Sequence, residues 1–155
     1  MAEKDAKILL TYSELWKWIS EHEDIVLTHG VFDLFHEGHR RYIEFAASCG
    51  THLIVSVDSD STTKMRKGAL RPIRHITERM HDVLSLDCVN AVTEHAYHKE
   101  LLSFVRPVHY VISLSSSTDY ALEKAFVESY GGRVYLKEQM SDIHTTELIQ
   151  KMMAK

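Results

Sequence analysis

The chain has 155 residues, a formal net charge of −4 and a pI near 6.2, with 45% hydrophobic residues. That is enough apolar material for one domain with its own core, and the acidic balance excludes a general nucleic-acid binder, which would carry a basic face. Cys49 and Cys88 stand far apart without a C-x-x-C pair, which argues against a disulfide framework or a thiolate zinc site and for a reducing, cytoplasmic setting.

The start, Met1 to Lys7, mixes both signs of charge and lacks the pattern of a signal peptide, and no run approaches the ~20 apolar residues of a membrane span. Thr11 and Glu14 match a capping box, and Leu15, Trp18, Ile19 and His22 follow at helical spacing, so a helix is predicted to about Glu23. Residues 1–24 therefore read as an N-terminal helical extension, a lid or brace outside the main sheet, and 25–155 as the main domain. Leu15, Trp16 and Trp18 offer a face for a homodimer.

β-rich runs follow at Ile25 to Thr28, His52 to Asp58, Val89 to Thr93, Val108 to Ser113 and Arg133 to Lys137. Helical patterns separate them at Gly38 to Ser48, Thr77 to Leu86, His98 to Val105 and Asp119 to Tyr130, and Ile143 to Met153 closes the chain. Five strands alternating with helices predict an α/β fold, a Rossmann-like doubly wound five-stranded parallel sheet with an extra N-terminal helix.

The first strand runs into GVFDLFHEGH, Gly30 to His39, at one strand-to-helix corner. Gly30 admits a close backbone approach, while Gly38 and His39 open a helix whose free N–H groups and dipole favour anions. His36 and His39 can add imidazole donors, which suits a triphosphate whose charge shifts as the α-phosphorus reacts. The H-x-x-H spacing is also compatible with a metal pair, although zinc needs a third protein ligand and none is convincingly spaced nearby. After the second strand, Lys64, Arg66, Lys67, Arg71 and Arg74 gather in a basic loop, and Arg79 follows at the start of the next helix. Such a loop lies beside the first corner and can hold phosphates of two substrates for in-line attack.

The run from Gly30 to His39 resembles the G-x-F-D-x-x-H-x-G-H signature of cytidylyltransferase-like nucleotidyltransferases. Ser59 to Pro72 resembles the matching stretch of the adenylyltransferases that make ADP-heptose. Thr145 and Thr146 fit a third element, G-x-S-T-T-x-I-I, in which His144 replaces the serine and Asp142 stands where glycine is common. After the fourth strand, Asp119 and Tyr120 match the end of K-G-G-D-Y, whose lysine and glycines are absent from Ser113 to Thr118.

The resemblance implies His36, His39, Lys64 and Arg79 as catalytic residues. It implies Gly30, Val31, Phe32, Asp33, Gly38, Asp119, Thr145 and Thr146 for the nucleotide, and Lys67 and Arg71 for the acceptor. Asp33, just before the histidine corner, is the candidate for orienting Mg²⁺ or the histidine network. The reaction it implies joins a nucleoside monophosphate from ATP or CTP to a small phosphorylated acceptor, with adenylylation of a heptose 1-phosphate preferred. A glycerol-3-phosphate cytidylyltransferase and a catalytically silent nucleotide-binding module are the rival readings. Neither nucleic acid nor membrane is an expected partner.

Overall fold

The computed structural model describes residues 6–96, 98–114, 120–138 and 153. The elements run β1 (Lys7–Leu9), α1 (Tyr12–Glu21), β2 (Ile25–Gly30), α2 (Glu37–Ser48), β3 (His52–Asp58), α3 (Asp60–Lys67), α4 (Ile76–Leu84), β4 (Ala91–His95), α5 (His98–Val105), β5 (His109–Ser113), α6 (Ala121–Ser129) and β6 (Arg133–Lys137). The six strands form one parallel sheet in the order β1-β4-β3-β2-β5-β6. The order reverses between β2 and β5, and such a switch point opens a crevice beyond the carboxyl ends of the strands.

The sheet has six strands where five were expected. The added strand, β1, has three residues, too few for alternation to register in the sequence. It is fixed by tertiary contacts: it pairs with β4, Lys7 N donates to Asn90 O at 3.2 Å and Thr93 Oγ1 donates to Leu9 O at 2.7 Å. The basic loop after β3 is a second correction, because Asp60–Lys67 is helix α3. Ser59 caps it by accepting from Thr62 N at 3.1 Å, and Gly68 ends it at φ 111°. Only Thr63 of this helix is buried, so no apolar stripe announces it. β4 also reaches two residues further than expected, which brings His95 into the sheet.

Strand alternation divides the interior into two layers. Ile25, Leu27, Ile54, Ala91 and Tyr110 pack with Leu15 and Trp18 of α1, Leu101 and Leu102 of α5, and Val127 of α6. On the opposite face Val26, Val55, Val57, Val92 and Val111 pack with Tyr42, Ile43 and Ala46 of α2 and Met80 and Val83 of α4. Leu15 and Trp18 are thus core residues rather than part of an association face, because their burial completes the first layer. Trp16, with 62% of its surface exposed, is left outside. No helix among the described residues is long and apolar enough to cross a membrane. The expected closing helix, with Thr145 and Thr146, and Asp119 lie outside the described residues.

Candidate active site

The site is built at the corner between β2 and α2. Phe32 and Leu34 hold φ of 54° and 48°, so the loop turns through two left-handed non-glycine residues. The turn folds the buried Phe32 ring back onto Gly30, where an added Cβ would meet Phe32 Cζ at 2.8 Å. Gly30 is required by this packing within the loop itself.

Asp33 is 1% exposed, and its carboxylate organises the next loop. Oδ2 accepts from Arg71 Nε at 3.1 Å and from Ile73 N at 2.8 Å, while Oδ1 accepts from Arg74 N at 3.0 Å. The expected role of Asp33 is to orient Mg²⁺ or the histidine network; its hydrogen bonds instead clamp the segment from Arg71 to Arg74 against the corner.

His36 is the N-cap of α2, and its Nδ1 accepts from Gly38 N at 3.0 Å. His39, one turn on, accepts from His36 N through its own Nδ1 at 3.1 Å. The two rings lie 4.0 Å apart, centre to centre. A nitrogen that accepts from a backbone N–H cannot carry a proton, so each neutral ring holds its hydrogen on Nε2. Burial, then the nearby His36 and the positive charge of Arg71, push the His39 pKa down to about 3. The pair therefore offers Nε2–H donors at a helix N-terminus, a setting that favours a polyanion.

The expected cations divide. Arg71 is nearly buried and close enough to His39 to disfavour its protonation, so it stands beside the histidine pair. Arg79, 0% exposed, donates to Arg74 O at 2.9 Å, Val31 O at 2.8 Å and Asp60 Oδ1 at 2.6 Å. It braces the corner against α3 and α4 and leaves no surface for a ligand, which corrects the phosphate contact expected of it. Lys64 and Lys67 fall with Arg66 in the last turn of α3, where positive charge also complements the helix dipole.

The matching family model is the cytidylyltransferase-like one, over residues 27–151. The chain belongs to the cytidylyltransferase-like family. It is 34% identical over 131 residues to a bifunctional protein HldE from Geobacter sulfurreducens, covering 83% of this chain and 27% of that protein. A bifunctional protein HldE from Pelobacter propionicus is 36% identical over 135 residues, with the same coverage of each chain. This cytidylyltransferase-like chain thus spans about a quarter of the length of these relatives. Among solved structures, a lipopolysaccharide core biosynthesis protein from Thermoplasma volcanium superposes with a TM-score of 0.63 at 23% identity, covering 74% of this chain and 94% of that one. A pantoate–β-alanine ligase from Francisella tularensis gives 0.66 at 13% identity, covering 86% and 67%. At those identities the structural matches speak for the fold alone.

Sequence reasoning passed over one set of polar residues at the same edge of the sheet. His29, Asp58 and His95 come from the ends of β2, β3 and β4, with ligand-capable atoms all within 4.8 Å of one another. The available signal was the register of the strands: His29 pairs with Ser56 and His95 with Asp58, which puts all four on one face.

Proposed function

We propose that this chain is a nucleotidyltransferase that moves AMP from ATP to the phosphate of a sugar 1-phosphate of the heptose class. A phosphate oxygen of the acceptor attacks the α-phosphorus, the bond from that phosphorus to the bridging oxygen of the β-phosphate breaks, and pyrophosphate leaves with the bonding electrons. The observation that carries the reading is the His36–His39 pair, fixed through Nδ1 by backbone donors so that Nε2–H is left as the donor of each ring at the start of α2. Preorganised neutral donors stabilise charge that develops on phosphoryl oxygens without taking part in proton transfer. A phosphate nucleophile needs no base, so positioning and charge stabilisation suffice.

Arg71, held by Asp33 beside the pair, is the candidate for an acceptor or triphosphate phosphate, with Lys64 and Lys67 on α3 as further phosphate contacts. Arg79 and Asp33 serve as positioning residues. Thr145, Thr146 and Asp119 keep the nucleotide-binding role that the family resemblance implies. Asp33 is held by three protein donors, so a Mg²⁺ ion would be brought by the triphosphate, where it would offset charge on the phosphates. The resemblance of Ser59 to Pro72 to the adenylyltransferases that make ADP-heptose supports the sugar-phosphate acceptor and ATP, beside the similarity to the bifunctional HldE proteins over 131 and 135 residues.

Pyrophosphate release, measured with ATP, CTP, GTP and UTP against heptose 1-phosphates and glycerol 3-phosphate, tests the reading. Release with ATP and a heptose 1-phosphate is expected. Release confined to CTP with glycerol 3-phosphate would replace it with a cytidylyltransferase, and nucleotide binding without release from any pair would make the chain a silent binding module.

A further inference from the structure

We infer that His29, Asp58 and His95 form a binding site for one divalent transition-metal ion, separate from the histidine pair of the corner. The three side chains come from adjacent parallel strands and lie on the sheet face opposite the layer packed under α2 and α4. Their position is therefore fixed by backbone hydrogen bonds on three paired strands, which hold a site more precisely than loops do.

The orientation of each group is set by a partner on its far side. Asp58 is 1% exposed; its Oδ2 accepts from Arg66 Nη1 at 3.0 Å, while its Oδ1 is buried with no hydrogen-bond partner among the described residues. A buried carboxylate oxygen left without a donor costs free energy comparable to a lost hydrogen bond or more, so it marks a place built for something else. His95 hydrogen-bonds Ser56 Oγ through Nδ1, which turns Nε2 toward Asp58 Oδ1 at 3.6 Å. Ser56 is wholly buried and so cannot serve as a nucleophile in this Ser–His–Asp arrangement. Its hydroxyl orients the imidazole, as outer partners of metal-binding histidines do. His29 completes the set, its ring stacked on Tyr110 at 6.0 Å and edge-on to His95 at 6.1 Å.

Donors about 2.1 Å from a tetrahedral ion lie roughly 3.4 Å from one another. The 3.6 Å between Asp58 and His95 already approaches that, and the 4.8 Å bound on the whole set closes with small side-chain rotations. Two imidazoles and one carboxylate suit Zn²⁺, Fe²⁺, Co²⁺ or Mn²⁺, whereas Mg²⁺ prefers an all-oxygen octahedron. Three protein ligands leave coordination positions for water or a substrate oxygen, as in catalytic rather than structural sites. The assignment does not depend on the transfer reaction proposed above.

The test is titration of the chelator-stripped full chain with Co²⁺, following the visible ligand-field absorption, then displacement by Zn²⁺. One equivalent of Co²⁺ should develop the band, Zn²⁺ should abolish it and excess Mg²⁺ should not. His29→Ala and His95→Ala should each weaken binding by at least about 100-fold, the upper end of what loss of even a supporting partner costs. His36→Ala and the exposed His81→Ala should bind as the wild type does. His29→Asn, at a half-buried position, guards against misfolding: it should keep the wild-type melting temperature without metal and lose the rise that Zn²⁺ produces. No band in the wild type, a band that survives both His29→Ala and His95→Ala, or a band lost only in His36→Ala would each overturn the assignment.

Discussion

Two histidine clusters stand at the carboxyl edge of the sheet, and their chemistry is opposite. At the corner of α2, both imidazoles accept backbone N–H groups through Nδ1 and are left as donors. At the ends of β2, β3 and β4, two imidazoles converge on a carboxylate that has one oxygen without a hydrogen-bond donor among the described residues. The first arrangement suits an anion and the second a cation. What decides the polarity of a histidine site is which ring nitrogen the surrounding chain occupies and what charge stands next to it.

The contrast can be broken most forcefully at the frame of the anion corner. Asp33→Ala leaves Arg71 as a buried, unpaired charge, and about 3–5 kcal/mol of stability should be lost. Urea unfolding measures it, and a loss below about 1 kcal/mol would mean that the Arg71–Arg74 loop is held by something else.

His36→Ala removes one fixed donor, and turnover should fall by about 10²–10³-fold, or roughly 2.7–4 kcal/mol of barrier, with circular dichroism unchanged. Near-normal turnover would remove the corner from the chemistry.

The proton resistance of His39 sharpens the comparison through pH. Its folded pKa is about 3 against an ordinary 6.5, so below pH 6.5 the unfolded chain takes up a proton that the folded chain refuses. The stability this group supports is fully present above pH 6.5 and declines as pH falls toward 3. Between pH 6.5 and 4.5 its share is about 2–3 kcal/mol. In His39→Asn, which keeps an acceptor for His36 N, that part of the decline should vanish; urea midpoints that fall equally in both proteins would show that His39 is not the group resisting the proton.

The smallest effect is expected at Ser59, which caps the helix that carries Arg66 to Asp58. Ser59→Ala should cost about 1 kcal/mol of stability, read from the urea midpoint, and no measurable loss would show that the cap is redundant.

The corner was legible before any coordinates because its residues are contiguous: Gly30 to His39 lie within one turn and one helix start, and local backbone rules carry the reading. The second cluster was hidden because His29, Asp58 and His95 are far apart in sequence, and each alone looks like an ordinary polar residue at a strand end. Residue type also misled in places. Arg79 and Asp33 are charges of the kind that meets phosphate or metal, and the fold spends both on holding loops together, since a buried charge must find its partners within the protein. Lys64 and Arg66, taken for loop residues, belong to a helix whose polar composition conceals its period.

By itself the sequence determined the alternation of strand and helix, the parallel sheet and the motif that places the chain in its family, since these rest on periodicities of 2 and 3.6 residues and on contiguous residues. Only the tertiary structure decided that Lys7–Leu9 completes the sheet, that Leu15 and Trp18 belong to the core, and that His29, Asp58 and His95 meet at one sheet edge. Those outcomes depend on pairings between distant segments, where burial and hydrogen-bond satisfaction, and not local propensity, select the arrangement.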